Sequence, residues 1–143
     1  MSNKNKLFPH LMPHEIPIWE AWLDIHEHDY DTYEYDVRVG ESITPPPDVD
    51  ANIATMAVDL AKKRIDVVAW LNNKPTIIEI KDYAGLTAIG QLVSYPLLFI
   101  KEFPESLPPD IKLIASRLLP DVAYILTTYE IPFEIIKPAP ISK

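Results

Sequence analysis

Two periodicities of apolar and polar positions alternate along this chain. From His14 to His28 the apolar residues Ile18, Trp19, Trp22, Leu23 and Ile25 recur near helical spacing, which predicts a first helix. Tyr33-Glu34-Tyr35-Asp36-Val37-Arg38-Val39 then alternates residue by residue, as a half-buried strand does, and Gly40 ends it. Its apolar face is expected to be Tyr33, Tyr35, Val37 and Val39. Residues from Asp48 to Lys63 carry no clear period and read as a short helix or loop.

Two apolar runs follow, Arg64–Leu71 and Lys74–Lys81, separated by Asn72-Asn73. Asparagine tolerates positive φ, so this pair predicts a two-residue hairpin loop. Helical spacing returns from about Leu86 to Phe99, with Leu86, Ile89, Val93, Leu97 and Ile100 as the expected buried stripe. Gln91 and Tyr95 lie one turn apart on a neighbouring face. Pro96 removes a backbone donor and is expected to kink or end that helix just after Tyr95. Ile111–Ala115 reads as a strand, Pro120–Tyr129 as a helix and Phe133–Ile136 as a last strand. The order αβββαβαβ predicts an α/β sandwich around a mixed sheet, and the crossover from Lys81 to Ile111 should be right-handed.

The hairpin carries the chemistry. Residues two apart in a strand share a face, so Glu79 and Lys81 point one way and Ile78 and Ile80 the other. A two-residue loop pairs Leu71 with Lys74, and counting back places Asp66 opposite Glu79. Cross-strand neighbours stand about 5 Å apart at Cβ. Two carboxylates that close repel unless a cation lies between them, and a divalent metal with Lys81 alongside supplies that charge. The competing reading is an ordinary hairpin in which Glu79 and Lys81 form a solvated pair worth about 0–1 kcal/mol.

Asp66, Glu79-Ile80-Lys81 and Gln91-Leu92-Val93-Ser94-Tyr95 together resemble the PD-(D/E)xK nuclease superfamily, and the Q-x-x-x-Y helix resembles its RecB-like branch. The resemblance covers roughly the middle third of the chain and extends to small phage-encoded proteins. It implies a restriction-endonuclease-like αβββαβ core, a mixed central sheet flanked by helices. It further implies that Asp66 and Glu79, aided by the Ile80 carbonyl and by an acid of the first helix matched to Glu20, hold Mg²⁺ or Mn²⁺. Lys81 would orient or activate the attacking water, and Gln91 and Tyr95 would position the phosphate strand. The implied activity is a metal-dependent DNA nuclease. The alternative is a catalytically silent nuclease-like fold used in assembly, in a virion or a DNA-processing complex.

Composition narrows this picture without overturning it. A chain of 143 residues, 48% hydrophobic, suits one domain with short extended tails. No apolar run approaches the roughly 20 residues that span a bilayer, and the start, Met1 to Lys6, leads into no signal-peptide core. The cytoplasm, or a virion, is the expected location. No cysteine is present, which excludes disulfides and thiolate metal sites. With only Gly40, Gly85 and Gly90 as glycines there is no P-loop and no dinucleotide fingerprint.

The net charge of −8 argues against a broad nucleic-acid-binding surface; Lys62-Lys63-Arg64 reads either as a local cluster for a DNA backbone or as a solvated strand entry. The acid-rich stretch Asp24–Glu41 is suited to a protein partner or to solubility. His26-Glu27-His28-Asp29 reads as a solvated helix end, because its histidines are on different sides of a helix. Many of the 15 prolines lie in Thr44–Asp48 and Phe103–Asp110, expected as stiff connectors, and Lys137–Pro140 reads as a departing tail.

Overall fold

The computed structural model describes residues 8, 11–40, 47–48, 50–55 and 63–138. Lys62, much of the proline run at 44–48, and the ends of both tails lie outside the described residues. The elements are α1 (Ile16–His26), a 3₁₀ turn (Glu27–Asp29), β1 (Thr32–Val39), β2 (Lys63–Leu71), β3 (Lys74–Ala84), α2 (Leu86–Glu102), β4 (Asp110–Leu118), α3 (Pro120–Thr128) and β5 (Phe133–Ile135). A helical turn occupies 51–55 in the stretch that sequence left ambiguous. The fold is mixed α/β: a five-stranded sheet in the order β1-β2-β3-β4-β5, flanked by helices.

Chain connectivity decides strand direction. The tight Asn72-Asn73 loop makes β2 and β3 antiparallel, with Leu71 paired to Lys74, and both asparagines take positive φ (51° and 67°) as such a turn requires. The helical crossovers α2 and α3 make β3–β4 and β4–β5 parallel. One face of the sheet packs Val67, Ala69, Ile78, Ile80 and Ile114 against Ile18, Trp19 and Trp22 of α1. The other packs Leu113 and Ala115 against Ala88 and Leu92 of α2 and Val122 and Leu126 of α3. It continues through Ile65, Val68 and Ile77 to Tyr95 and Phe99. Ile78 and Ile80 thus back onto α1, as alternation predicts.

Three expectations are corrected. The side chains of β1 do not share one apolar face: Tyr33 and Tyr35 pack with α1, whereas Val37 and Val39 pack on the α2 side. Asp36 sits between them at φ 56°, and this left-handed residue interrupts the two-residue period. The buried stripe of α2 is not the predicted one. Ala88, Leu92, Tyr95 and Phe99 face the sheet, while Leu86, Val93, Leu97 and Ile100 are exposed. Ile89 alone of the predicted set packs partly against the core. This helix is apolar nearly all round, so the hydrophobic pattern does not fix its rotation; the shape of the sheet does. Finally, α2 runs through Pro96 to Glu102. Burial of Tyr95 before the proline and Phe99 after it holds the helix together across the missing hydrogen bond.

Candidate metal and phosphodiester site

The strands β2 and β3 part company where their acids lie. Their pairing runs from Leu71 and Lys74 to Val67 and Ile78. Beyond that point β2 continues beside β1, with Ile65 opposite Val37, and β3 continues beside β4, with Glu79 opposite Leu113. The next residues in the β2–β3 register are Asp66 and Glu79, which fill the fork. Each carboxylate accepts a hydrogen bond from a backbone N–H of the opposite strand. Asp66 N–H donates to Glu79 Oε2 at 3.1 Å, and Ile80 N–H donates to Asp66 Oδ2 at 2.9 Å. Side-chain oxygens thereby take over from the interrupted backbone ladder, as buried N–H groups require.

This arrangement makes two acids reluctant to ionise. Asp66 is 5% exposed and Glu79 fully buried. Burial pushes the Asp66 carboxyl up from 3.8 to about 7, against the Ile80 N–H and the charge of Lys81, which favour the anion. Glu79 is raised well above the usual carboxylate range, first by burial and then by the charge of Asp66. The N–H of Asp66 and the charge of Lys81 act in the opposite direction on Glu79. Glu79 Oε1 is buried and has no hydrogen-bond partner. An orphaned carboxylate oxygen beside a second acid is the donor chemistry a hard divalent cation takes. Asp66 and Glu79, with the Ile80 carbonyl between Glu79 and Lys81, fit such an ion. Among the described residues no set of three His, Cys, Asp or Glu side chains is gathered to hold a metal. An ion here would keep several waters, as Mg²⁺ commonly does.

The helix α2 closes the site from one side. Tyr95 is 7% exposed, and burial and the charges of Glu79 and Asp66 raise its hydroxyl pKa. Gln91 Nε2 donates to the Tyr95 hydroxyl at 3.3 Å, while Gln91 Oε1 is buried without a partner. Lys81, partly exposed, acts electrostatically on both acids. The structure therefore brings Asp66, Glu79, Lys81 and Tyr95 into one electrostatic neighbourhood, with Gln91 attached through Tyr95. Tyr95 belongs to the core cluster with Ile77 and Phe99, so its ring packs inward, and the charges of Glu79 and Asp66 are felt at its hydroxyl.

Two acids escaped the sequence reading. Glu15 precedes α1, and its charge registers at both Asp66 and Glu79. Glu20 lies further along α1 and is partly buried. Asp36 lies opposite Asp66, between the pairs Tyr35–Val67 and Val37–Ile65, and raises the Asp66 pKa further. Arg64 Nε approaches Asp36 Oδ1 at 3.6 Å, which engages the arginine of the basic cluster expected to meet DNA. The available signal for Asp36 was an acid in mid-strand between Tyr35 and Val37. Among the described residues the histidines near the end of α1 belong to no group of three or more His, Cys, Asp or Glu side chains placed to hold a metal ion. His26 Nδ1 instead lies 2.9 Å from Asp29 Oδ2, at the partly solvated helix end that was expected.

No family profile matches the sequence, and no curated protein does. Solved structures do resemble the fold. A repair endonuclease from Pyrococcus abyssi shows 13% identity and a TM-score of 0.48, over 90% of this chain and 49% of that one. EndoMS in a complex with double-stranded DNA shows 12% identity and a TM-score of 0.47, over 92% and 48%. The crystal structure of AF1548, a protein of unknown function, shows 14% identity and a TM-score of 0.51, over 84% and 56%. The chain spans about half the length of the structures it matches. At these identities the likeness is one of architecture, and the chain shares its fold with part of AF1548.

Proposed function

We propose that this chain is a Mg²⁺- or Mn²⁺-dependent deoxyribonuclease of the PD-(D/E)xK type, with the Q-x-x-x-Y helix of the RecB-like branch. The observation that carries the reading is the pair of buried carboxylates in the strand fork, with Glu79 Oε1 unpartnered and the charge of Lys81 acting on both acids. Asp66 and Glu79 would hold the ion, with the Ile80 carbonyl. When bound, a divalent cation polarises a phosphodiester and acidifies a water. The two acids must be ionised to bind it, so their raised pKa values make metal affinity rise with pH. Lys81 offers its ammonium to the developing charge or to the water. Gln91 holds the Tyr95 hydroxyl through its Nε2 and so fixes the orientation of that phenol beside the acids.

The test is cleavage of linear, circular, single-stranded and branched DNA in Mn²⁺, with EDTA and Lys81→Ala as controls. Wild type should cut, EDTA should stop it, and Lys81→Ala should retain its fold while losing about 10²–10³ in rate, the scale of one charge-stabilising group. A second reading is the silent assembly module. It is favoured by the net charge of −8 and by the lack of a three-acid set among the described residues. Wild type and Lys81→Ala equally inert on every DNA form, with metal bound, would establish that reading instead.

A further inference from the structure

A cleft of about 640 Å³ opens on the α2 side of the sheet, away from the carboxylate fork. It lies where the ends of β1 and β2 meet the C-terminal end of α2. Phe99, one turn beyond Tyr95, forms its floor with Trp70, their ring centres 6.3 Å apart. Phe103 extends the aromatic wall, 4.9 Å from Phe99 and inclined at 51°. Phe103 and Leu107 are substantially exposed at the rim. The volume falls in the range of small-ligand sites, roughly 300–1,000 Å³.

Two carboxylates give the cleft its sign. Among the described residues, Glu34 and Glu105 line it and no lysine or arginine does. Neither glutamate has an ion-pair partner among the described residues. The Trp70 indole N–H donates to Glu34 Oε1 at 2.7 Å, which fixes that carboxylate at the edge of the ring. Aromatic faces beside acids, with no cation of their own, are complementary to an organic cation. A phosphate-bearing ligand meets two like charges there. Glu34 also belongs to the acid-rich sequence stretch Asp24–Glu41, whose charge suits a basic partner.

We propose that this cleft binds the guanidinium of an arginine side chain presented by a basic partner protein. Arginine fits better than lysine because its planar head stacks on aromatic rings and forks toward carboxylates at the same time. The site is independent of the nuclease reading, since it shares no residue with the carboxylate fork.

The probe is an acetylated, amidated Gly-Arg-Gly peptide, read through tryptophan fluorescence. Trp19 and Trp22 are fully buried, so the response reports Trp70. The expected result is a saturable change, absent in Trp70→Phe. The citrulline peptide, neutral and of the same shape, should bind about tenfold more weakly, as should the arginine peptide to E34Q/E105Q, the scale of a lost charge or cation–π contact. The amide introduced by E34Q keeps an acceptor for the indole, so the double variant retains its fold, and circular dichroism verifies it. Equal affinity for the citrulline peptide, unchanged affinity in the double variant, tighter binding of adenosine monophosphate, or no response up to solubility would each overturn the proposal.

Discussion

Asp66→Asn isolates the energetic strain in the carboxylate fork. The amide keeps the shape of the side chain and an oxygen to accept the Ile80 N–H, but it cannot ionise. In wild type the folded state raises the Asp66 carboxyl from 3.8 to about 7. A group raised by folding binds its proton more tightly in the native state. Its stabilisation is fully present below about pH 4 and is lost as pH rises through about 7. The slope reaches about 1.4 kcal/mol per pH unit for each proton released, so the loss between those limits is on the order of a few kcal/mol and belongs to the Asp66–Glu79 pair, not to Asp66 alone. Glu79 is raised too, and acts in the same direction. Urea unfolding in EDTA should show wild type losing stability as pH rises from about 4 through about 7, with Asp66→Asn flatter and more stable at the upper end by on the order of a few kcal/mol. Mn²⁺ at about 100 times its dissociation constant should return about 2.7 kcal/mol to wild type at the upper pH and little to the variant. Parallel pH profiles for the two proteins would refute the claim that the fold holds these acids against ionisation.

The rotation of α2 is checked by two leucines: Leu92→Ala should cost about 2–5 kcal/mol in urea unfolding and Leu97→Ala no more than about 0.5 kcal/mol, because only the first side chain is buried. Gln91→Ala should raise the Tyr95 hydroxyl pKa further, measurable by ultraviolet titration, since the hydrogen bond from Gln91 acts to lower it. Tyr95→Phe should leave Mn²⁺ affinity, measured by calorimetry, within about threefold, because its ring packs in the core and the acids hold the ion. A change well beyond that would put the hydroxyl among the metal's contacts.

Local chemistry in the sequence determined the hairpin and, with it, the pairing of the two acids. Asn72-Asn73 admits positive φ at both positions, and once that loop has two residues the register of Asp66 and Glu79 follows by counting. Alternation in β3 likewise sends Ile78 and Ile80 to α1 and leaves Glu79 and Lys81 on the other side. Element order was legible for the same reason: helical and strand periods are local. What the sequence left open were choices between locally equivalent arrangements. The helix α2 has apolar residues around most of its circumference, so its buried stripe was set by the grooves of the sheet. The face change at Asp36 needs a left-handed residue that nothing in Tyr35-Asp36-Val37 demands. The strand fork exists because β2 and β3 follow different outer neighbours beyond Val67 and Ile78. That divergence is a property of the whole sheet. It turns two acids in register into buried, hydrogen-bonded groups that resist ionisation, and only tertiary structure could bring Glu15 to them from the start of α1.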